Sequence, residues 1–169
     1  MDDLRIIQLD ADADFARVSD LCDRAADYVM LEEGNPPNEA YVHKTLTDAP
    51  PVCGPEDIFL RGVERPDGTL AGIATSIRHV YQPGEWYMGL LMLDPAERGT
   101  GLGRKVAQHV IAEARADGAP CIRIAVLDAN PRGRKFWESL GYCHEKSVQG
   151  DDHLRHVLKL DLKETTNAS

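Results

Sequence analysis

Cysteine is scarce in this 169-residue chain, and what there is stands badly placed for cross-linking: Cys22, Cys53, Cys121 and Cys143 contain no C-x-x-C pair. Metal ligation and disulfide scaffolds favour close, repeated spacing, so these four read as reduced thiols in or near a core. The six histidines show no H-E-x-x-H spacing. His153 and His156 are three apart, which in a strand puts them on opposite faces. No metal is expected. Long apolar runs are absent too, none approaching the roughly 20 residues a membrane helix needs. The start, Met1-Asp2-Asp3-Leu4-Arg5, lacks the basic-then-apolar layout of a signal peptide. With 43% apolar and 28% charged residues, the expectation is one soluble cytoplasmic domain over residues 1–169, with no membrane partner.

Basic charge is also in deficit, 19 Lys and Arg against 28 Asp and Glu, for a net charge of −9. That argues against nonspecific nucleic-acid binding. The imbalance is uneven along the chain. Residues 1–60 hold four basic side chains against fourteen acidic, whereas residues 97–135 hold eight basic against four acidic. A basic stretch in an acidic protein fits either a bound anion or an ordinary solvated face.

What is present is a mixed pattern of helices and strands. Leu4 to Leu9 reads as a short strand, and apolar residues from Phe15 to Val29 follow helical spacing over about Ala11 to Met30. Gly34-Asn35-Pro36-Pro37 ends that helix, and Asn38 caps a second through Leu46. Strands at Asp57 to Glu64 and Thr69 to Val80 flank Arg65-Pro66-Asp67-Gly68, a hairpin signal; Glu85 to Leu93 is a third, stopped by Asp94-Pro95. A helix from Gly101 to Asp117, a strand from Cys121 to Leu127 and a helix opened by Asn130-Pro131 follow. Strands near Tyr142 to Ser147 and Leu154 to Leu162 complete the order βααβββαβαββ. It lacks the repeated βαβ winding of a Rossmann fold.

The turn Arg98-Gly99-Thr100-Gly101-Leu102-Gly103 lies between a strand end and a helix start. Alternating glycines admit positive φ and close approach of a ligand. The first helical turn offers free N–H groups and the positive end of the dipole, with Arg98, Arg104 and Lys105 adding charge. A phosphate or pyrophosphate is the expected ligand. Walker A spacing fails, because counting from Gly99 reaches Arg104-Lys105-Val106, and the G-x-G-x-x-G fingerprint fails at Arg104.

R-x-x-G-x-G after a strand ending Leu91-Met92-Leu93-Asp94-Pro95 resembles motif A of the GCN5-related N-acetyltransferase (GNAT) superfamily. Asn130-Pro-Arg-Gly133-Arg-Lys-Phe136-Trp137-Glu-Ser-Leu-Gly141-Tyr142 resembles that family's N-x-x-A-x-x-F-Y-x-x-x-G-F helix. The resemblance implies an α/β (α+β) fold, with a mixed, splayed central sheet of about seven strands and flanking helices. It implies acetyl-CoA as the acyl donor and an N-acetyltransferase activity. Arg98, Gly99, Thr100, Gly101, Leu102, Gly103 and Arg104 would hold the pyrophosphate, and Leu91, Met92 and Leu93 would offer strand backbone to the pantetheine. The N–H near Leu93 would stabilise the oxyanion of the reacting carbonyl. Asn130 would touch the pantetheine arm, besides capping its helix.

Two departures stand out. Trp137 occupies the place of a tyrosine that protonates the leaving thiolate, and an indole has no titratable proton, so it is expected to pack against the cofactor or fill core. Gly133 replaces an alanine, at a cost of about 1 kcal/mol in a helix interior. An amine of pKa about 10.4 is nucleophilic in only about one molecule per thousand at neutral pH, so a base is required. Relatives place it four residues ahead of the first bulge residue, here Tyr87, with Glu85 and Gly89 on the same face by alternation. Glu85, Tyr87, His79 and Tyr81 are candidates. Glu32, Glu33 and Gly34, in the acidic first third, suggest a small cationic amine as acceptor. A protein or peptide acceptor and a non-catalytic acyl-CoA-binding module also fit these residues, and relatives commonly form homodimers.

Overall fold

The chain forms strands β1 (Arg5–Gln8), β2 (Ile58–Glu64), β3 (Leu70–Arg78), β4 (Trp86–Leu93), β5 (Cys121–Leu127), β6 (Cys143–Gln149) and β7 (Leu154–Asp161). The structure, a computed structural model, describes residues 3–162; Met1, Asp2 and residues 163–169 of the expected domain lie outside them. The strands make one sheet in the order β1-β2-β3-β4-β5-β7-β6. All neighbours are antiparallel except β4 and β5. Helices α1 (Phe15–Arg24), α2 (Ala26–Glu33), α3 (Glu39–Thr47), α4 (Leu102–Ala116) and α5 (Pro131–Ser139) cover its two faces. This is the expected mixed, splayed architecture.

Local chemistry accounts for most boundaries. The β2–β3 hairpin closes on Gly68 at φ +91°, while the Asp67 carboxylate accepts hydrogen bonds from the Thr69 N–H and hydroxyl. Asn38 caps α3 by accepting from the Tyr41 N–H at 2.8 Å. Asn130 does the same for α5 from Gly133 at 3.0 Å, with Pro131 at the first helical position.

One expectation needs correction. The apolar spacing from Phe15 to Val29 predicts a single helix, but the chain bends at Ala25, where φ is −99° and ψ is 31°, and divides into α1 and α2. Alanine is the best helix former, so the break is tertiary in origin. Arg24, the last residue of α1, donates to Asp94 and to the Leu70 carbonyl, both distant in sequence, and Ala25 is fully buried. The bend sends α2 off on its own line toward the glycine turn.

The core lies in two layers. Val18, Leu21, Cys22, Val29, Val42 and Leu46 of α1 to α3 pack on one sheet face with Leu60, Ile73 and Met92. Val106, Val110 and Ala114 of α4 pack on the other with Ala74, Trp86, Met88 and Ile124. Ile73 and Ala74, adjacent in sequence, thus face opposite layers, as the period of two requires.

The parallel pair β4–β5 sets the architecture of the site. Only Trp86↔Ile122 and Tyr87↔Arg123 are in register, after which the strands part. Trp86 pins the closed end: it is 1% exposed, stacks on Phe59 at 4.4 Å and donates its indole N–H to Asp117 at 2.9 Å. Beyond Tyr87, β4 presents an edge with no strand partner, facing a wedge-shaped gap. In that stretch the β3–β4 register shifts from Ser76↔Met88 to Thr75↔Leu90, leaving Gly89 as the extra residue of a bulge. The bulge reverses the alternation. Trp86 and Met88 face the α4 layer before it, and Leu91 and Leu93 do so after it.

Candidate active site

The glycine turn is built by backbone conformation. Gly99 and Gly101 sit at φ +78° and +89°, the left-handed region that β-carbons disfavour. Gly101 is the N-cap of α4, so the first N–H groups of that helix emerge at the turn without helical acceptors. Gly103 has ordinary φ. A β-carbon there would lie 3.4 Å from Leu93 and 3.6 Å from Phe136, so its role is close packing of the helix start.

These groups open onto a cleft of about 620 Å³ lined by Leu93, Arg98, Gly99, Gly101, Gly103, Arg104, Asn130, Arg132 and Phe136, with Asp27, Tyr28 and Leu31 of α2 opposite. The structure therefore brings together seven of the expected donor residues. Four others point elsewhere. Thr100 folds back to donate to the Glu97 carbonyl at 2.6 Å, Leu102 and Met92 are buried in core, and Leu91 packs against the α4 layer. Trp137 is also core: it is 9% exposed, edge-on to Phe136 and Tyr142, and does not line the cleft. Phe136, its neighbour in the chain, lines the cleft instead. Arg98 is not a free cation either, because it makes a two-pronged pair with Asp27 at 2.6 and 3.0 Å. Arg104, bonded to the Ser139 hydroxyl at 3.2 Å, and Arg132 supply the charge at the mouth.

The turn is anchored from behind. Asp94 accepts from the Ala96 N–H and pairs with Arg24 and with Arg65, which also reaches Glu97 at 2.9 Å. Burial pushes the Asp94 carboxyl up, but the Ala96 N–H and the two guanidiniums outweigh it and hold the group below the usual carboxylate range.

A second cavity, of about 260 Å³, lies next along α2. Glu32 and Glu33 line it with Tyr41, Lys44 and Asp48 on the helical side and with Thr75, Ile77, Tyr87, Gly89 and Leu90 on the sheet. Its floor is the bulge of β4. Three carboxylates and one ammonium make it acidic. Burial raises the Glu32 carboxyl above its ordinary value; Arg155, His153 and the Tyr28 hydroxyl pull the other way, and Glu33 adds to the rise.

The bases that the sequence offers fare differently. Tyr87 lines this cavity, but burial pushes its phenol up to about 12, so at neutral pH it keeps its proton and serves as a donor. The observed bulge lies at Gly89, two residues earlier than the count that selects Tyr87, and four residues ahead of it stands Glu85. Glu85 is held by Arg123 at 2.5 Å, with its side chain 14% exposed, and Arg123 is shared with Glu145 at 2.7 Å. His79 and Tyr81 are both at positive φ, 71° and 75°, in the β3–β4 turn. His79 accepts from the Gly84 N–H, and Tyr81 lies over Arg123 and Lys146. Neither lines the acidic cavity. Among the described residues no cluster of His, Cys, Asp or Glu is arranged to hold a metal.

Comparison with known proteins agrees with this geometry. The profile of the Acetyltransferase (GNAT) family matches residues 23–142. A glucosamine 6-phosphate N-acetyltransferase of Trypanosoma brucei brucei is 27% identical over 139 residues, covering 72% of this chain and 92% of the relative. The fold is shared with the ribosomal-protein-S18-alanine N-acetyltransferase of Escherichia coli, at a TM-score of 0.73, 17% identity and 97% of each chain. It is shared too with a GCN5-related N-acetyltransferase of Kribbella flavida, at a TM-score of 0.71 and 22% identity, over 95% of this chain and 98% of that one.

Proposed function

The chain belongs to the acetyltransferase (GNAT) family, and we propose that it moves the acetyl group of acetyl-CoA to the primary amine of a small cationic molecule by direct attack on the thioester. One observation carries this reading: a cleft with an anion cradle and an acidic cavity follow one another along α2 and β4, the first lined by Tyr28 and Leu93 and the second by Glu32 and Leu90.

The residues present fit the donor. Gly99 and Gly101 leave the cradle open, since a β-carbon at either would meet nothing yet would strain the backbone. The first-turn N–H groups of α4, with Arg104 and Arg132, suit a pyrophosphate. Acetyl-CoA supplies the activated acyl group. The chain's part is to seat that donor along the unpaired edge of β4, to exclude water with α2, and to hold the amine beside the bulge. Holding both reactants turns a bimolecular encounter into an intramolecular one. Glu32, Glu33 and Asp48 favour a cation in the acceptor cavity.

The test is thiol release from acetyl-CoA with a panel of amines: linear polyamines, uncharged amino alcohols, and glucosamine 6-phosphate, the acceptor named for the trypanosomal relative. Highest kcat/KM with a di- or polycation is expected. A preference for the phosphorylated sugar would overturn the cationic acceptor while leaving acetyl transfer in place.

A further inference from the structure

Of the four bases that the sequence offers, Glu85 is held by Arg123, Tyr87 keeps its proton, and His79 and Tyr81 lie outside the acidic cavity, so the proton chemistry has to come from another residue of the cavity wall. The α2 helix separates the two clefts, and two of its residues face them in turn. Tyr28 lines the donor cleft, and Glu32, one helical turn later, lines the acceptor cavity beside Tyr87, Gly89 and Leu90. At that spacing, one turn apart, the two side chains lie on one strip of the helix, close enough for each to influence the protonation of the other. The strip bridges the donor and acceptor clefts.

We propose that Glu32 is the general base of the transfer reaction and that Tyr28 relays its proton to the departing sulfur. This deepens the acetyl-transfer reading and rests on it. The C–N bond forms as the C–S bond breaks. The first ammonium proton passes to Glu32 and on to the sulfur by way of the Tyr28 hydroxyl. The second, released by nitrogen as the amide forms, is taken by the emptied carboxylate and given up to water. Atoms and charge balance: ammonium and thioester yield amide, free thiol and one proton.

The surroundings suit both roles. Glu32 is drawn upward by burial, toward the range in which a carboxylate accepts a proton effectively at neutral pH. Burial raises the Tyr28 phenol as well, so it never ionises on its own at neutral pH and acts only as a relay, passing one proton to sulfur as it takes another from Glu32. The charged and titratable groups around Glu32 are Glu33 and Tyr28 on its own helix, Tyr41 and Lys44 of α3 with Asp48 at its end, Tyr87 of β4, and His153 and Arg155 on either side of the first residue of β7. The charge of Arg155 opposes the rise at both Glu32 and Tyr87 without reversing it.

The experiment is the pH dependence of kcat/KM for the best amine, in wild type, Glu32→Gln and Tyr28→Phe. CoA-induced protection against melting serves as the control for folding. Wild type should lose activity as pH falls through an acid limb lying above the ordinary carboxylate range. Glu32→Gln should keep CoA protection, lose about 10²–10³-fold in kcat/KM at neutral pH, and show no such limb, its residual rate climbing with the free-amine fraction. Tyr28→Phe should keep the limb and lower kcat. A Glu32→Gln variant that raises KM alone and retains the wild-type limb would make Glu32 an anchor for the cation and overturn the assignment. Wild type that binds CoA but releases no thiol with any amine would overturn the transfer reading and this assignment together.

Discussion

The Tyr142 side chain illustrates how a single atom can matter. It is 2% exposed and packs edge-on against Trp137, yet among the described residues its hydroxyl has no hydrogen-bond partner. A buried unpaired hydroxyl costs about 1–3 kcal/mol. Tyr142→Phe keeps the ring and removes the cost, so thermal denaturation should show a stabilised protein, by about 1 kcal/mol or more; a lowered melting temperature would mean that the hydroxyl has a partner. Phenylalanine is also what the family motif carries at this position. Gly133 is the reverse case. Sequence reads it as a penalty in a helix, whereas the structure gives it a purpose: a β-carbon there would stand 2.6 Å from the Asn130 amide nitrogen and disturb the cap that also lines the donor cleft. No pattern of residue types announces that distance.

At the scale of elements, α2 governs the site, and it is the element least evident in the sequence. The glycine turn, the cap at Asn130 and the hairpin at Gly68 are legible because each is dictated by residues a few positions apart. The break at Ala25 and the bulge at Gly89 are not. Both arise where distant parts of the chain meet, Arg24 with Asp94 in one case and β4 with β3 in the other. The Tyr28–Glu32 strip was hidden for the same reason, since it faces the gap only because the helix bends. The bend also places Asp27 against Arg98. That pair is largely exposed, so it contributes little to stability, about 0–1 kcal/mol. Its larger effect is to put a carboxylate in the wall of the proposed donor cleft and to occupy a guanidinium there. Asp27→Asn should therefore tighten CoA binding about 3–10-fold in calorimetry, with little change in melting temperature. Weaker binding would show that the clasp is required to hold the turn in shape.

The whole molecule is acidic, yet its arginines are deployed as clamps between elements. Arg78 joins β3 to Asp57 and Asp117, Arg61 joins β2 to Glu113 of α4, and Arg123 joins β5 to Glu85 and Glu145. The Arg78 guanidinium and the Gly54 N–H hold the Asp57 carboxyl below its usual range, and Arg123 does the same for Glu145. Groups depressed in the folded state stabilise it above their unfolded pKa, and the contribution is lost as pH falls through the folded value. The melting temperature should stay level from neutral pH down to about pH 5, then drop steeply below about pH 4 as these carboxylates take up protons. A melting temperature that held level through that acid range would count against clamps of this kind. The contact between β4 and β5 has a different consequence. Two leaves of sheet are bound along a spine only two residue pairs long, beside the proposed donor cleft. An acyl donor lying along the bare margin of β4 would fill the place of an absent strand, making the substrate, for the length of each turnover, a part of the enzyme's own framework.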